Sequence, residues 1–163
     1  MTMYECGVRL NRMESDGTVR KVAELYLVDA MTFAEAEGRM VKELHDEVDD
    51  GFDVAAIRRT SYAEALRSGK DDADAWFKAK VNFITVDEKS GKEKRHACHY
   101  IIEAADFDDA RKTIGEHLRG SVVDYEIATV DKTKIVGIFA THWQSEANRT
   151  LEQTETTEKE AQR

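Results

Sequence analysis

Proline is missing altogether from this 163-residue chain, so its turns fall to glycine, aspartate, asparagine and serine. Cysteine is nearly missing: Cys6 and Cys98 alone cannot build a disulfide framework and read as cytosolic thiols. There is no apolar run of the roughly 18 residues a membrane span needs. The N-terminus, MTMYECGVRL, has neither the basic nor the apolar region of a secretory signal. A cytoplasmic protein without membrane association is therefore expected. Positive charge is short as well, 24 Lys and Arg against 33 Asp and Glu for a net charge of -9, which argues against a duplex-DNA binder, whose footprint is basic. No GxSxG elbow, GxxxxGKS/T loop or GxGxxG turn is present, so the commonest hydrolase, phosphate-loop and dinucleotide signatures are excluded.

What the chain does contain is an internal repeat. Residues 26–44, YLVDAMTFAEAEGRMVKEL, return as residues 100–118, YIIEAADFDDARKTIGEHL. Tyr26, Ala30, Phe33, Ala36 and Leu44 recur as Tyr100, Ala104, Phe107, Ala110 and Leu118. Between them the changes keep character: Leu27 to Ile101, Val28 to Ile102, Asp29 to Glu103, Met40 to Ile114. A repeat on this scale shapes the whole architecture.

Each copy reads as two strands, a helix and a third strand. Residues 4–13 place Tyr4, Cys6, Val8 and Leu10 on one face, the period-two pattern of a half-buried strand. Residues 14–17 are turn chemistry ending in Gly17. Residues 18–30 form a second strand, apolar on both faces around residues 25–28, which asks for cover on both sides. Thr32 and Glu35 make a capping box ahead of Phe33, Ala36, Met40, Val41, Leu44 and Val48 at helical spacing. Residues 52–59 read as a third strand, residues 60–67 as a short helix, and residues 68–75, SGKDDADA, as a linker. The second copy repeats the plan: Phe77, Ala79, Val81 and Phe83 alternate, Gly91 takes the place of Gly17, Asp106 and Asp109 cap a helix, and Tyr125, Ile127 and Thr129 share a strand face. Residues 134–139 add a strand without a counterpart in the first copy, and residues 144–163 are polar and low in complexity, the composition of a disordered or frayed tail.

The expectation is an α+β fold: a tandem duplication of a strand-strand-helix-strand unit with antiparallel sheets, one helix per repeat and a pseudo-twofold axis. The first repeat spans residues 3–67 and the second residues 76–139, including the extra strand. Either the copies pack sheet against sheet, or their strands merge into one sheet with both helices on one side.

The segments YECGVRL, ELYLVDAMTFAEAE, FDVAAIRRTSY, WFKAKVNFITVDEKSGKEK and DYEIATVDKTKIVGIF together resemble a domain-of-unknown-function family typical of gut Bacteroidetes and their phages and plasmids. The resemblance covers roughly residues 3–139. It implies a small cytosolic accessory protein of a mobile element, and it brings no catalytic residues.

The candidate sites follow from residue types and faces. His96, Cys98 and His99 form HACH. On a strand His96 and Cys98 share one face and His99 takes the other, so a zinc site, which needs about four ligands, would have to borrow Cys6 or His117. Two surface histidines and one buried thiol are the simpler reading, and no metal or cofactor is expected. The same geometry keeps a flanking base away from the Cys98 thiol. Asp29 and Glu103 either meet at the pseudo-twofold axis or simply end strands beside helix N-termini, where negative charge is favoured.

Charge distribution is more informative. Residues 31–51 hold two basic side chains (Arg39, Lys42) against seven acidic ones, whereas residues 76–103 hold six (Lys78, Lys80, Lys89, Lys92, Lys94, Arg95) against four. Arg9, Lys78 and Lys80 project from the non-core faces of the first strands, Arg58 and Arg59 end the third, and Tyr26, Trp76 and Tyr100 offer stacking surfaces. Cations beside aromatics suit an anionic, nucleotide-type small molecule held between the repeats. The competing reading makes Tyr26 and Tyr100 core between the copies and the cations an ordinary solvated face. The expected function is thus a non-catalytic binding protein, which in a phage setting would sequester a host signalling nucleotide. A protein-interaction or homo-oligomerising module is the alternative, and a single-stranded nucleic-acid binder the third.

Overall fold

The computed structural model describes residues 2–48 and 51–143; the expected tail at residues 144–163 lies outside them. The fold is α+β. Its strands are β1 (Thr2–Met13), β2 (Val19–Ala30), β3 (Phe52–Arg59), β4 (Tyr62–Arg67), β5 (Ala75–Val86), β6 (Glu93–Ala104), β7 (Asp124–Lys132) and β8 (Ile135–Phe139). Helix α1 (Phe33–His45) follows β2, and α2 (Phe107–His117) follows β6.

Both helices start where capping chemistry places them. The Thr32 hydroxyl accepts from the Glu35 N–H at 3.1 Å, and the Asp106 carboxylate accepts from the Asp109 N–H at 2.8 Å, each satisfying an otherwise orphaned donor of the first turn. Their acidic third residues reach back one position further, Glu35 to the Met31 N–H and Asp109 to the Ala105 N–H.

The eight strands form two sheets in the orders β3-β1-β2-β8 and β4-β6-β5-β7. Both are mixed rather than wholly antiparallel, because β8 lies parallel to β2 and β4 parallel to β6. Residues 60–67, expected as a short helix, contain β4 instead. A register shift between Tyr62 and Glu64 breaks the period of two, so that in YAEALR the inward residues Tyr62 and Ala65 fall at helix-like spacing.

The fourth strands are exchanged. β4 follows β3 in the chain but completes the second sheet, and β8 follows β7 but completes the first. The two crossovers use one device: Thr60 donates its N–H and hydroxyl to the Met3 carbonyl at 2.9 and 2.7 Å, and Thr133 does the same to Trp76, both at 2.8 Å. Register shifts also recur at matched places, between Gly7 and Val8 in β1 and between Lys80 and Val81 in β5.

Three apolar clusters hold the layers. Tyr4, Cys6, Val8, Leu10, Tyr26 and Val28 pack beneath α1 on Ala36, Met40 and Leu44. Phe77, Ala79, Val81, Tyr100 and Ile102 pack beneath α2 on Ala110, Ile114 and Leu118. The third cluster joins the sheets through their helix-free faces: Met3, Leu27, Ile135 and Ile138 from the first, Ala65, Trp76 and Ile101 from the second, closed by Ala140 and Trp143. Leu27 and Ile101 are fully buried there, each contributing about 1.5–3 kcal/mol. The two sheets therefore pack face to face and do not merge into one. The apolar inner faces of β2 and β6 are covered on both sides, as their sequence demanded.

Candidate functional site

Beyond the third cluster the inter-sheet faces turn polar, and an open cleft of about 190 Å³ lies at the β3–β4 crossover. Arg58 and Arg59 end β3, Thr60 and Ser61 make the crossing, Tyr62 opens β4, and Lys78 and His99 face it from β5 and β6. Alternation explains the convergence. Lys78, between the core residues Phe77 and Ala79, must point to the helix-free face, and His99 does so one residue before the core residue Tyr100. Tyr62 pairs with His99, and His99 with Lys80 across β5.

No carboxylate lines this cleft. Glu5 bonds to Arg58 at 2.8 Å just outside it. Among the described residues Lys78 and Lys80 carry no ion pair. The field is felt locally: burial, then Lys78 and Lys80, lower the His99 pKa, which leaves the ring neutral near pH 7. Burial raises the Tyr62 pKa, with Glu5 adding and Arg58 opposing, so its hydroxyl stays a donor. The positions matched in register at the β7–β8 crossover are Asp131, Lys132, Thr133, Lys134 and Ile135, with Glu5 and Leu25 on the facing strands. There Arg58 becomes Asp131, Lys78 becomes Glu5 and His99 becomes Leu25, so the matched positions of the second crossover include carboxylates where the first has cations and a histidine.

Of the expected ligand residues, Arg58, Arg59 and Lys78 come together here, with Lys80 beside them through His99. Arg9 lines a separate cleft with Asn11, Lys21 and Asp53. The three aromatic residues lie elsewhere. Tyr100 is in the core beneath α2. Tyr26 is beneath α1, stacked on Phe139 at 5.7 Å with its hydroxyl on Glu24 at 2.6 Å. Trp76 stacks on Trp143 at 5.9 Å in the inter-sheet cluster. Neither tyrosine is core between the copies; each packs beneath its own helix. The aromatic ring of the cleft is Tyr62, missed with Thr60 and Ser61 because this stretch has helical spacing.

Asp29 and Glu103 do not meet. Buried Asp29 is bonded to Arg39 and accepts from the Thr141 N–H and hydroxyl at 3.0 Å. Glu103 faces Arg67 at 3.9 Å. Among the described residues no three His, Cys, Asp or Glu side chains converge as a metal set. Among the described residues no helix is long and apolar enough to cross a membrane.

Residues 2–142 match the family model described as a domain of unknown function (DUF4494), and the chain belongs to that family. No curated protein matches it.

Proposed function

We propose that this DUF4494 member is a non-catalytic binding protein whose cleft at the β3–β4 crossover holds the phosphate end of an anionic, nucleotide-type small molecule. The carrying observation is the lining itself: Arg58, Arg59, Lys78 and His99 with no carboxylate among them. Ser61 and Tyr62 add hydroxyls with no hydrogen-bond partner among the described residues. At about 190 Å³ the cleft falls below the ~300–1,000 Å³ that encloses a drug-sized ligand. It suits one or two phosphates, leaving the base at the mouth beside the Tyr62 ring. Binding rather than turnover fits the side chains, since no hydrogen bond joins a cleft hydroxyl to His99 to make an activated nucleophile. Such a protein acts by withholding its ligand.

The reading includes an ancestry. The halves descend from one strand-strand-helix-strand unit copied in tandem about a pseudo-twofold axis, which the shared threonine crossovers, register shifts and capped helices support. Divergence at one crossover then produced the cationic cleft.

The test is a thermal-shift and calorimetric screen with pyrophosphate and with mono-, di- and cyclic nucleotides. A ligand at a hundredfold its Kd stabilises by about 2.7 kcal/mol, and Lys78→Ala and Arg59→Ala should each weaken binding several-fold. Silence with every nucleotide and with pyrophosphate overturns the proposal. Steeply salt-dependent binding to oligonucleotides, without binding of mononucleotides, would replace it with single-strand binding.

A further inference from the structure

The four sheet edges are not protected alike. β3 (FDVAAIRR), β4 (YAEALR) and β7 (DYEIATVDK) each carry charged side chains, the usual guard against unwanted strand pairing. β8 (IVGIF) carries none. Its register shift beside Val136 does not compensate, because β4 has the same irregularity in addition to its charges. Val136 is 53% exposed.

A cleft of about 410 Å³ runs along this edge. Four successive β8 residues, Val136 to Phe139, line it. Neighbours in a strand point to opposite faces, so a cavity touched by all four follows the strand's outer side, where its backbone has no sheet partner among the described residues.

We propose that the outer edge of β8 is a self-association surface on which β8 of a second copy of this chain pairs antiparallel. Charge selects that occupant. Near the start of β8, whose Ile135 pairs with Leu25, the cleft wall holds Glu24, already bound to Arg12 at 2.9 Å, and Glu47, which carries no ion pair among the described residues. Near its end stands Arg67, over the Trp143 ring at 3.8 Å and only at 3.9 Å from Glu103. An isologous twofold contact sets the start of one edge against the end of the other, bringing Glu47 of each copy toward Arg67 of its mate. The product is one continuous eight-stranded sheet with Val136 covered.

Sedimentation and light scattering of the full chain, from low to high micromolar concentration, test this. The expected result is a doubling of mass with rising concentration, lost in Val136→Lys, whose melting temperature at low concentration stays that of the parent. Amide exchange at residues 136–138 should slow as concentration rises, a readout that needs no variant. Glu47→Arg should weaken the dimer, and Glu47→Arg with Arg67→Glu should restore it. A chain that stays monomeric throughout, or a dimer indifferent to Val136→Lys with no change in exchange at β8, overturns the proposal.

Discussion

Replacing Asp29 by alanine should destabilise the protein far more than the same change at Glu103, although the two acids occupy matched places in the repeat. Asp29 is buried, bonded to Arg39, and accepts from Thr141 at 3.0 Å. Arg39 reaches on to the Phe139 carbonyl at 3.5 Å, so the cluster fastens the end of β8 and the start of residues 140–143 to the first sheet. Removing the carboxylate strands the Arg39 guanidinium, whose side chain is only 19% exposed, and leaves the Thr141 N–H unpaired. Breaking one side of a buried ion pair costs about 3–5 kcal/mol. The residual exposure of Arg39 points to the lower end, and the amide adds about 1 kcal/mol. A total near 4 kcal/mol lowers Tm by about 8–15 °C in a chain of this size. Glu103 meets Arg67 at 3.9 Å with both side chains partly solvated, which is worth no more than about 0.5 kcal/mol. Calorimetric melts of both variants decide the matter.

A pH arm sharpens the same comparison. Burial pushes the Asp29 pKa up, but the hydrogen bonds from Arg39 and Thr141 outweigh it and hold the carboxyl below its ordinary value. Its stabilisation is therefore complete above the unfolded pKa of about 3.9 and is lost as pH falls through the lower folded value. The gap between parent and Asp29→Ala should close only in that acid window. Equal Tm losses for the two variants, or a loss under about 1 kcal/mol for Asp29→Ala, would refute the reasoning.

Pyrophosphate should bind more tightly as pH falls from about 8 to about 5.5, because a bound anion offsets Lys78 and Lys80 and lets His99 take up a proton; His99→Gln should flatten that profile in calorimetry. Without ligand the sign reverses for stability: the lowered His99 pKa makes its contribution full above the ordinary value and lost as pH falls through the folded one. Gly137→Ala should cost about 1–3 kcal/mol in a melt, since its Cβ would sit 3.2 Å from the Tyr26 ring, itself pinned by Glu24 and Phe139. Gly7→Ala, with a nearest contact of 3.7 Å, should be nearly neutral. At pH ~8 an alkylating reagent should mark Cys98 long before Cys6, whose thiol is fully buried and pushed up to about 11 by burial and then by Glu5; peptide mass spectrometry reads the order.

Local pattern carried much of this architecture. Period two announced β1 and β5, and Thr32 and Asp106 announced both helices, because strand alternation and capping are short-range chemistry. The register shift at Ala63 disguised β4 as a helix. Nothing local tells a fourth strand which sheet to join, since parallel pairing of β8 with β2 is decided by contacts far apart in the chain. The site was half legible for the same reason. Arg58, Arg59 and Lys78 stood out by charge and face, whereas Ser61, Tyr62 and His99 entered only once β4 crossed over. Tyr26 and Tyr100, singled out as platforms, have their rings spent on packing against helices.

The exchange of fourth strands also sets an order of events during synthesis. As the polypeptide leaves the ribosome, the first sheet has three of its strands at hand and must wait for residues 135–139 before its flank beside Tyr26 and Leu27 is sheltered. The second sheet receives β4 ahead of its own members and can close as soon as they emerge. Translation therefore leaves the earlier half unfinished longest, with the edge of β2 unpaired until β8 arrives, and an unpaired edge of that kind is where misassembly starts.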